Sequence, residues 1–121
     1  MKLYESGENY LETILMLKEN NKIVRSIDVA NHLGVSKPSV SRAMSILKKA
    51  NYIIFDENGS IELTKEGLNR AKKILERHLT LTRFLREHLG VSEEHAEMDA
   101  CRIEHVISEE TFEKMKQHLE D

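Results

Sequence analysis

The sequence predicts a mainly α-helical protein that contains one small β-hairpin. Apolar residues recur at helical spacing over most of the 121 residues, and this periodicity is the primary signal for amphipathic helices. Serine, threonine and glycine residues stand where those helices would begin and end. One short stretch instead alternates polar with apolar residues beside Asn58-Gly59, a dipeptide typical of hairpin turns. The three observations agree on the fold class.

The first half of the chain predicts three helices, at about residues 7–19, 27–33 and 37–50. Ser26 is expected to cap the second helix, and Gly34 follows its end, where a positive φ is easiest for glycine. Ser36 is expected to cap the third helix. Pro38 falls in the first turn of that helix, where its missing N–H costs nothing.

The second half predicts a hairpin followed by three more helices. Residues 52–55 and 60–63 are the expected strands, on either side of the Asn58-Gly59 turn. Thr64 is expected to cap a long helix over residues 65–89, which Gly90 would end. The last two helices are expected to begin after Ser92 and Ser108, each followed by glutamates that favour a helix N-terminus.

Helix, turn, helix and hairpin in this order predict a winged helix-turn-helix. Ala30 is small where the two helices would cross, and Gly34 occupies the turn between them. Six apolar side chains can close a small core around this pair: Val29, Leu33, Val35, Val40, Ala43 and Leu47.

The second helix of such a unit enters the DNA major groove by its N-terminus. Lys37 and Arg42 can pair with phosphates or a guanine edge, serine hydroxyls can bond phosphates or bases, and Pro38 can touch a thymine methyl group. The hairpin tip at residues 56–59 is acidic and would repel phosphate, so we expect the hairpin to support the helix rather than read a groove. The predicted DNA-binding residues are Arg25, Ser36, Lys37, Pro38, Ser39, Ser41 and Arg42.

Charge is distributed unevenly, although the net charge is only −3. Residues 21–50 contain six basic residues and one acid, whereas residues 92–121 contain ten acids and three basic residues. This asymmetry suggests phosphate contact by one segment and a cationic partner for the other, although two solvated faces would explain it equally.

The chain is expected to act in the cytoplasm. No apolar run is long enough to span a membrane, and the first residues lack the apolar stretch of a signal peptide. A single cysteine, Cys101, allows no internal disulfide and fits a reducing compartment.

Cys101, Glu104 and His105 are spaced i, i+3, i+4 and would share one face of a helix. Thiolate, carboxylate and imidazole groups can converge on a first-row divalent cation. From spacing alone, a half-buried cysteine and histidine beside an exposed glutamate is the commoner explanation. An enzyme using Cys101 with His105 would need an oxyanion-hole loop or an orienting partner, and neither is visible. We therefore predict no enzymatic activity.

The run Cys-Arg-Ile-Glu-His-Val-Ile-Ser at residues 101–108 resembles the signature of the diphtheria toxin repressor family of iron- and manganese-dependent regulators. The likeness extends to residues 8–12, to the winged helix-turn-helix at 26–63, and to Arg77-His78 with Phe84-Leu85. It implies a winged helix-turn-helix DNA-binding domain over residues 1–64 and a helical dimerisation and metal-sensing domain over residues 65–121.

The resemblance also implies a set of metal ligands. Cys101, Glu104 and His105 match ligands on the dimerisation helix, and His78 matches a ligand on the long helix. Glu12 stands where the manganese branch of the family has a glutamate ligand.

Three further positions differ from the iron branch of the family. Asn9 stands where that branch has a methionine and the manganese branch an aspartate, so only its amide oxygen could coordinate. Glu97 stands where the iron branch has an ancillary histidine. Thr82 replaces an ancillary glutamate, which argues against a second metal site copied from that branch.

The family implies a homodimer that represses transcription when metal-loaded, on a near-palindromic operator in double-stranded DNA. A thiolate ligand favours iron(II) over manganese(II), so iron(II) is the preferred ion. The alternative is a winged-helix regulator that senses redox state through Cys101, or that senses an organic ligand.

Overall fold

In a computed structural model of the chain, which describes residues 5–21 and 23–120, a two-stranded antiparallel sheet accompanies the helices. This confirms the predicted fold class. The chain divides into two compact units, residues 1–72 and 73–121. The described elements are α1 (Glu5–Asn20), α2 (Ser26–Leu33), α3 (Lys37–Lys49), β1 (Ile53–Phe55), β2 (Ile61–Leu63), α4 (Lys65–Glu87), α5 (Glu93–Ile103) and α6 (Glu109–Glu120).

The core of the first unit combines apolar faces of α1, α2 and α3 with the inner face of the hairpin. Its buried side chains include Leu11, Ile14, Val29, Ala30, Val40, Met44, Leu47, Ile53 and Ile61. The prediction of Val35 as a core residue was wrong, because Val35 lies in the turn between the helices and is 38% exposed. Met44 was missed. It lies four residues after Val40 and three before Leu47, on the same helix face.

Helix caps decide where α2 and α3 begin. Ser36 caps α3 as predicted, because its Oγ accepts the Ser39 N–H at 3.3 Å. The prediction of Ser26 as the cap of α2 was wrong, since Ser26 is already helical and Arg25 precedes it in an extended conformation. The Asp28 carboxylate accepts the Arg25 backbone N–H at 2.8 Å, which fixes the helix start one residue earlier. Gly34 ends α2 with φ of 67°, as expected.

The hairpin is fastened to the first unit on several sides. β1 pairs with β2 in the register Ile53↔Leu63 and Phe55↔Ile61. The Ile61 N–H donates to the Val24 carbonyl at 2.7 Å, so the loop before α2 adds a further backbone contact. Lys18 of α1 lies 2.9 Å from a carboxylate oxygen of Glu62. The hairpin is therefore part of the packed unit.

The start of α4 passes very close to the end of the α3–β1 connection. Thr64 caps α4 as predicted, because its Oγ1 accepts the Gly67 N–H at 3.0 Å. A Cβ atom at Gly67 would lie 1.9 Å from the Tyr52 carbonyl oxygen. Tyr52 uses that same oxygen to accept the Thr64 N–H at 3.0 Å. Only glycine fits this position without moving backbone.

The second unit packs α5 and α6 against the C-terminal part of α4. Its core contains Leu81, Ala100 and Phe112. The helix α4 ends at Glu87, two residues earlier than predicted. The reason is a tight C-terminal turn in which Gly90, at φ of 70°, donates to the Arg86 carbonyl. None of the helices among the described residues is long and apolar enough to cross a membrane.

Candidate metal centre

The centre of the second unit contains a fully buried carboxylate, that of Glu104, whose side chain is 0% exposed. The prediction that residues 101, 104 and 105 share one helix was partly wrong, because α5 ends at Ile103. Glu104 is the C-cap and still helical in conformation, with its N–H bonded to the Ala100 carbonyl. His105 lies in the turn that follows, where the Val106 N–H bonds the Ile103 carbonyl and tightens the chain.

Two imidazoles flank this carboxylate. The His78 Nδ1 lies 2.9 Å from Glu104 Oε2, and the His105 Nε2 lies 3.2 Å from Glu104 Oε1. The His105 side chain is only 2% exposed. A carboxylate out of water is costly unless cationic or hydrogen-bonding groups compensate for the lost hydration. The two groups that lie beside this carboxylate are imidazoles, and imidazole is also the commonest nitrogen ligand of first-row metals.

The helix α4 supplies His78 from within its regular part. The Thr82 hydroxyl donates to the His78 carbonyl at 2.8 Å, so this side chain bonds the backbone of its own helix. Whether a second metal site is absent stays a prediction.

His78 also lines a surface groove of about 420 Å³ with Glu97, Met98, Cys101 and Arg102. Cys101 is half-buried. The predicted residues of the second unit therefore divide into a buried group, Glu104 with His105, and a groove group, Glu97 with Cys101. His78 is the one residue that belongs to both groups.

Arg77, the residue before His78, holds the backbone of the turn that carries Glu104 and His105. Its Nη1 donates to the Glu104 carbonyl at 3.0 Å and to the Ile107 carbonyl at 3.4 Å. Its Nη2 lies 2.6 Å from the Glu109 carboxylate. The guanidinium also lies over the Phe112 ring, 5.2 Å from its centroid. The sequence showed Arg77 only as a neighbour of His78, and its partners are about thirty residues away.

The Arg77 guanidinium has an electrostatic consequence for the carboxylate it contacts. Its hydrogen bond and its positive charge hold the pKa of Glu109 below the ordinary glutamate value. The Glu109 side chain is 71% exposed, so solvent screens much of this attraction. Glu109 thus remains ionised at neutral pH and keeps the guanidinium directed at the turn.

Asn9 and Glu12 lie on α1 of the first unit. Glu12 is 5% exposed, which is unusual for a carboxylate. The Asn9 carbonyl accepts a hydrogen bond from the Thr13 hydroxyl at 2.9 Å, within the helix. That Asn9 and Glu12 ligate the same ion as residues of the second unit stays a prediction.

The predicted DNA-contact residues surround the N-terminus of α3. All are exposed except Ser39, which is half-buried. The Ser36 hydroxyl donates to the Ser39 hydroxyl at 2.8 Å and also caps the helix, so both side chains already take part in hydrogen bonds at the start of α3. Lys37, Ser41 and Arg42 are exposed within the first two turns of α3, as a groove-reading helix requires.

Comparison with known proteins assigns both parts of the chain. Residues 2–60 match the family described as iron dependent repressor, N-terminal DNA binding domain. Residues 64–121 match the family described as iron dependent repressor, metal binding and dimerisation domain. These matches favour metal sensing over the alternative of a redox or organic-ligand sensor.

Individual relatives agree with the family matches. An uncharacterized HTH-type transcriptional regulator of Methanocaldococcus jannaschii is 37% identical over 117 residues, covering 96% of this chain and 94% of the relative. The HTH-type transcriptional regulator MntR of Bacillus velezensis is 34% identical over 119 residues, covering 96% and 83%. The solved manganese regulator SloR has a TM-score of 0.84 at 26% identity, over 99% of this chain and 55% of SloR. The chain thus spans about half the length of that solved protein.

Proposed function

Because the chain belongs to the iron-dependent repressor family, it is a metal-dependent transcriptional regulator, and we propose that it represses transcription from a near-palindromic operator as a homodimer. The observation that carries the proposal is the buried Glu104 carboxylate between two imidazoles. A divalent cation site explains these buried nitrogen and oxygen donors better than a solvated surface or a catalytic pair does. We place the protein in the cytoplasm, where the DNA it would bind is found.

The proposed ligands come from both units. Glu104 supplies the anionic oxygen, and His78 and His105 supply imidazole nitrogens. Glu12 of α1 is proposed as a second carboxylate, with Asn9 as an amide-oxygen ligand. Cys101 and Glu97 are proposed to take part from the groove that they share with His78. A bound ion would supply the positive charge that attracts these donors, and it would thereby link ligands that lie on different helices.

Iron(II) is the ion that we propose, ahead of manganese(II). The reason is Cys101, since thiolate ligands favour iron over manganese whereas carboxylates and amides favour manganese. Replacing Cys101 by aspartate should therefore lower the ratio of iron(II) to manganese(II) affinity. An unchanged ratio in anaerobic titrations would remove Cys101 from the ligand set and leave the ion choice to oxygen and nitrogen donors.

DNA recognition is assigned to α3 and the residues around it. We propose that Lys37 and Arg42 contact phosphates or a guanine edge, with Ser36, Ser39, Ser41, Pro38 and Arg25 completing the contact surface. In a dimer, two copies of α3 would read half-sites about 34 Å apart or a multiple of that distance. The metal ion would favour the DNA-competent conformation because it binds that conformation more tightly than the alternatives.

An anaerobic titration tests the proposal directly. Purified metal-free protein is titrated with iron(II), manganese(II) and zinc(II), and stoichiometry, thermal stabilisation and operator binding are measured. We expect stabilisation and operator binding to rise together, and His105→Ala to remove both. Operator binding that is equal in chelator and in metal, or that survives in His105→Ala, would contradict the proposal.

A further inference from the structure

We propose that Arg77 is the positioning residue of the metal centre, because it holds the turn of Glu104 and His105 in its ligating conformation before an ion arrives. This inference rests on the proposed function, since it concerns how the same ligands are prepared. It adds a role for a residue that ligates nothing itself.

The argument begins with the position of the ligands. Glu104 and His105 follow the last residue of α5, where the chain leaves the helix. Carbonyl groups at the end of a helix lack intrahelical partners and need donors from elsewhere. A turn of this kind would be free to fray, and its side chains would then move with it. Two ligands of the proposed centre therefore depend on whatever fixes this turn.

Arg77 meets that need with several bonds at once. One guanidinium nitrogen donates to the carbonyls of Glu104 and Ile107, at either side of the turn. Another pairs with the Glu109 carboxylate at the start of α6. Arginine carries five donors in a rigid planar fork, so one side chain can serve three acceptors. Lysine, with a single nitrogen on a flexible stem, cannot reproduce this arrangement.

Burial supports the assignment. The Arg77 side chain is 22% exposed and lies over the ring of Phe112, which is 3% exposed. Hydrogen bonds shielded from water are stronger than those at an open surface. By contrast, Arg83 on the same helix is 58% exposed and pairs with Glu87, one turn away. Arg83 supplies a matched control for the loss of an arginine from α4.

Arg77 and His78 act on the same residue from neighbouring positions. Arg77 bonds the Glu104 main-chain carbonyl, whereas His78 Nδ1 lies 2.9 Å from the Glu104 carboxylate. The backbone and the side chain of Glu104 are thus both fixed to α4. Removing Arg77 leaves every proposed ligand in the chain but frees the backbone that aims two of them.

The test measures cobalt(II) binding by the full chain, because the visible spectrum of cobalt(II) reports coordination geometry as well as affinity. Groups that orient metal ligands typically contribute about 10–100-fold in metal affinity. We expect Arg77→Met to weaken cobalt(II) binding by a factor in that range and to alter the spectrum of the bound ion. Arg77→Lys should recover part of the loss, and Arg83→Met should bind as the wild type does.

A second readout concerns the metal-free protein. Amide hydrogen exchange over residues 104–108 should be faster in Arg77→Met than in the wild type, whereas exchange within α3 of the first unit should change little. If Arg77→Met fails to fold, the comparison of Arg77→Lys with the wild type decides by the same two measurements.

The outcomes separate the inference from the function on which it rests. Wild-type affinity and spectrum in the Arg77 variants would overturn the inference. Weaker binding with an unchanged spectrum and unchanged exchange would assign Arg77 to general stability, and would overturn it too. If His105→Ala binds cobalt(II) as tightly as the wild type, the proposed function itself fails, whatever the Arg77 variants do.

Discussion

At the scale of single residues, Glu104 combines an ionisable side chain with complete burial. Its carboxylate is fully buried, and the imidazoles of His78 and His105 lie 2.9 and 3.2 Å from its two oxygens. Burying an ionisable group in this way costs free energy that a purely structural role could avoid with an apolar residue. Ionisable groups that are buried beside specific polar partners are typical of functional sites. Glu104 is therefore the residue whose replacement should separate metal binding from folding most cleanly.

Glu104→Gln should abolish most of the metal affinity while leaving the fold intact, because glutamine keeps the shape but loses the anionic oxygen. The loss should exceed the factor of about 100 at the upper end of what orienting groups contribute. Titration calorimetry with manganese(II) or cobalt(II) measures this loss. Glu97→Gln is the comparison, since Glu97 lies in the groove and its loss should weaken binding less. Equal losses in the two variants would contradict the division into buried and groove ligands.

Glu109→Gln should show how the ion pair with Arg77 depends on pH. The Arg77 hydrogen bond and charge lower the pKa of Glu109 from its ordinary value of 4.5. A lowered folded-state pKa contributes stability that is complete above the ordinary value and is lost as pH falls through the lowered one. The wild type should therefore melt above the variant at pH 7, and the difference should shrink below about pH 4.5. A difference that grows on acidification would contradict this assignment.

At the scale of elements, the chain relies on one close approach between the start of α4 and the α3–β1 connection. Thr64 bonds the Asn51 and Tyr52 carbonyls, and Gly67 lies against the same carbonyl of Tyr52. The α3–β1 connection and the start of the long helix are thereby fixed to each other within the first unit. That contact involves backbone atoms, which cannot move aside as a flexible side chain can.

Gly67→Ala should destabilise the protein even though alanine is the better helix former. The added Cβ would lie 1.9 Å from the Tyr52 oxygen, so backbone must shift. Overpacking of this kind typically costs about 1–3 kcal/mol, and here we expect the upper end or beyond. Asn69→Ala, at an exposed position of the same helix, should be neutral or slightly stabilising. Chemical denaturation of both variants measures the contrast, and equal stabilities would contradict it.

Arg42→Ala should weaken operator binding without changing the metal affinity, because Arg42 is exposed on α3 in the first unit. If Arg42 contacts a phosphate, the slope of log affinity against log salt should become shallower by about one. Lys114→Ala, an exposed basic residue on α6, controls for the loss of one positive charge. Fluorescence anisotropy at several salt concentrations gives both quantities. An unchanged slope, with an affinity loss that depends on the base at one operator position, would instead indicate a base contact.

Local sequence signals predicted most of these elements. Features that depend on residues far apart in the sequence were not predicted. Ser36, Thr64, Ser92 and Ser108 each accept an amide N–H three residues ahead, so a short motif sufficed. The end of α5 was harder to predict. Glu104 keeps helical backbone angles although α5 ends at Ile103, and the spacing of Cys101, Glu104 and His105 is the same whether or not the helix continues. The contacts of Arg77 with Glu104 and Glu109 span 27 and 32 residues, and no local pattern reveals such pairs.

At the scale of the whole molecule, residues 2–60 match the DNA-binding domain of the family and residues 64–121 match its metal-binding and dimerisation domain. The long helix α4, over Lys65–Glu87, is shared by both compact units. Regulation then requires that occupancy of one part alters the affinity of the other. Such coupling between two ligands is reciprocal by thermodynamic necessity.

Operator DNA should therefore raise the metal affinity by the same factor by which metal raises the operator affinity. Factors of about 5–150 are typical of coupled sites. Metal titrations with and without saturating operator, together with operator titrations with and without metal, measure the two factors independently. Glu104→Gln should reduce both to near one. Unequal factors in the wild type would show that a third equilibrium, such as dimerisation, contributes to the response.

The acidic hairpin tip has a consequence for how such a protein finds its operator among bulk DNA. The Asp56 carboxylate accepts the Asn58 and Ser60 N–H groups at 2.8 and 2.9 Å, so its charge is part of the turn that closes the hairpin. A negative tip opposes every phosphate alike, whatever the base sequence. Because a genome offers roughly 10⁶ or more competing sites, weak general attraction decides how many molecules stay available. Repulsion at the tip would therefore lower the fraction of copies that non-operator DNA holds.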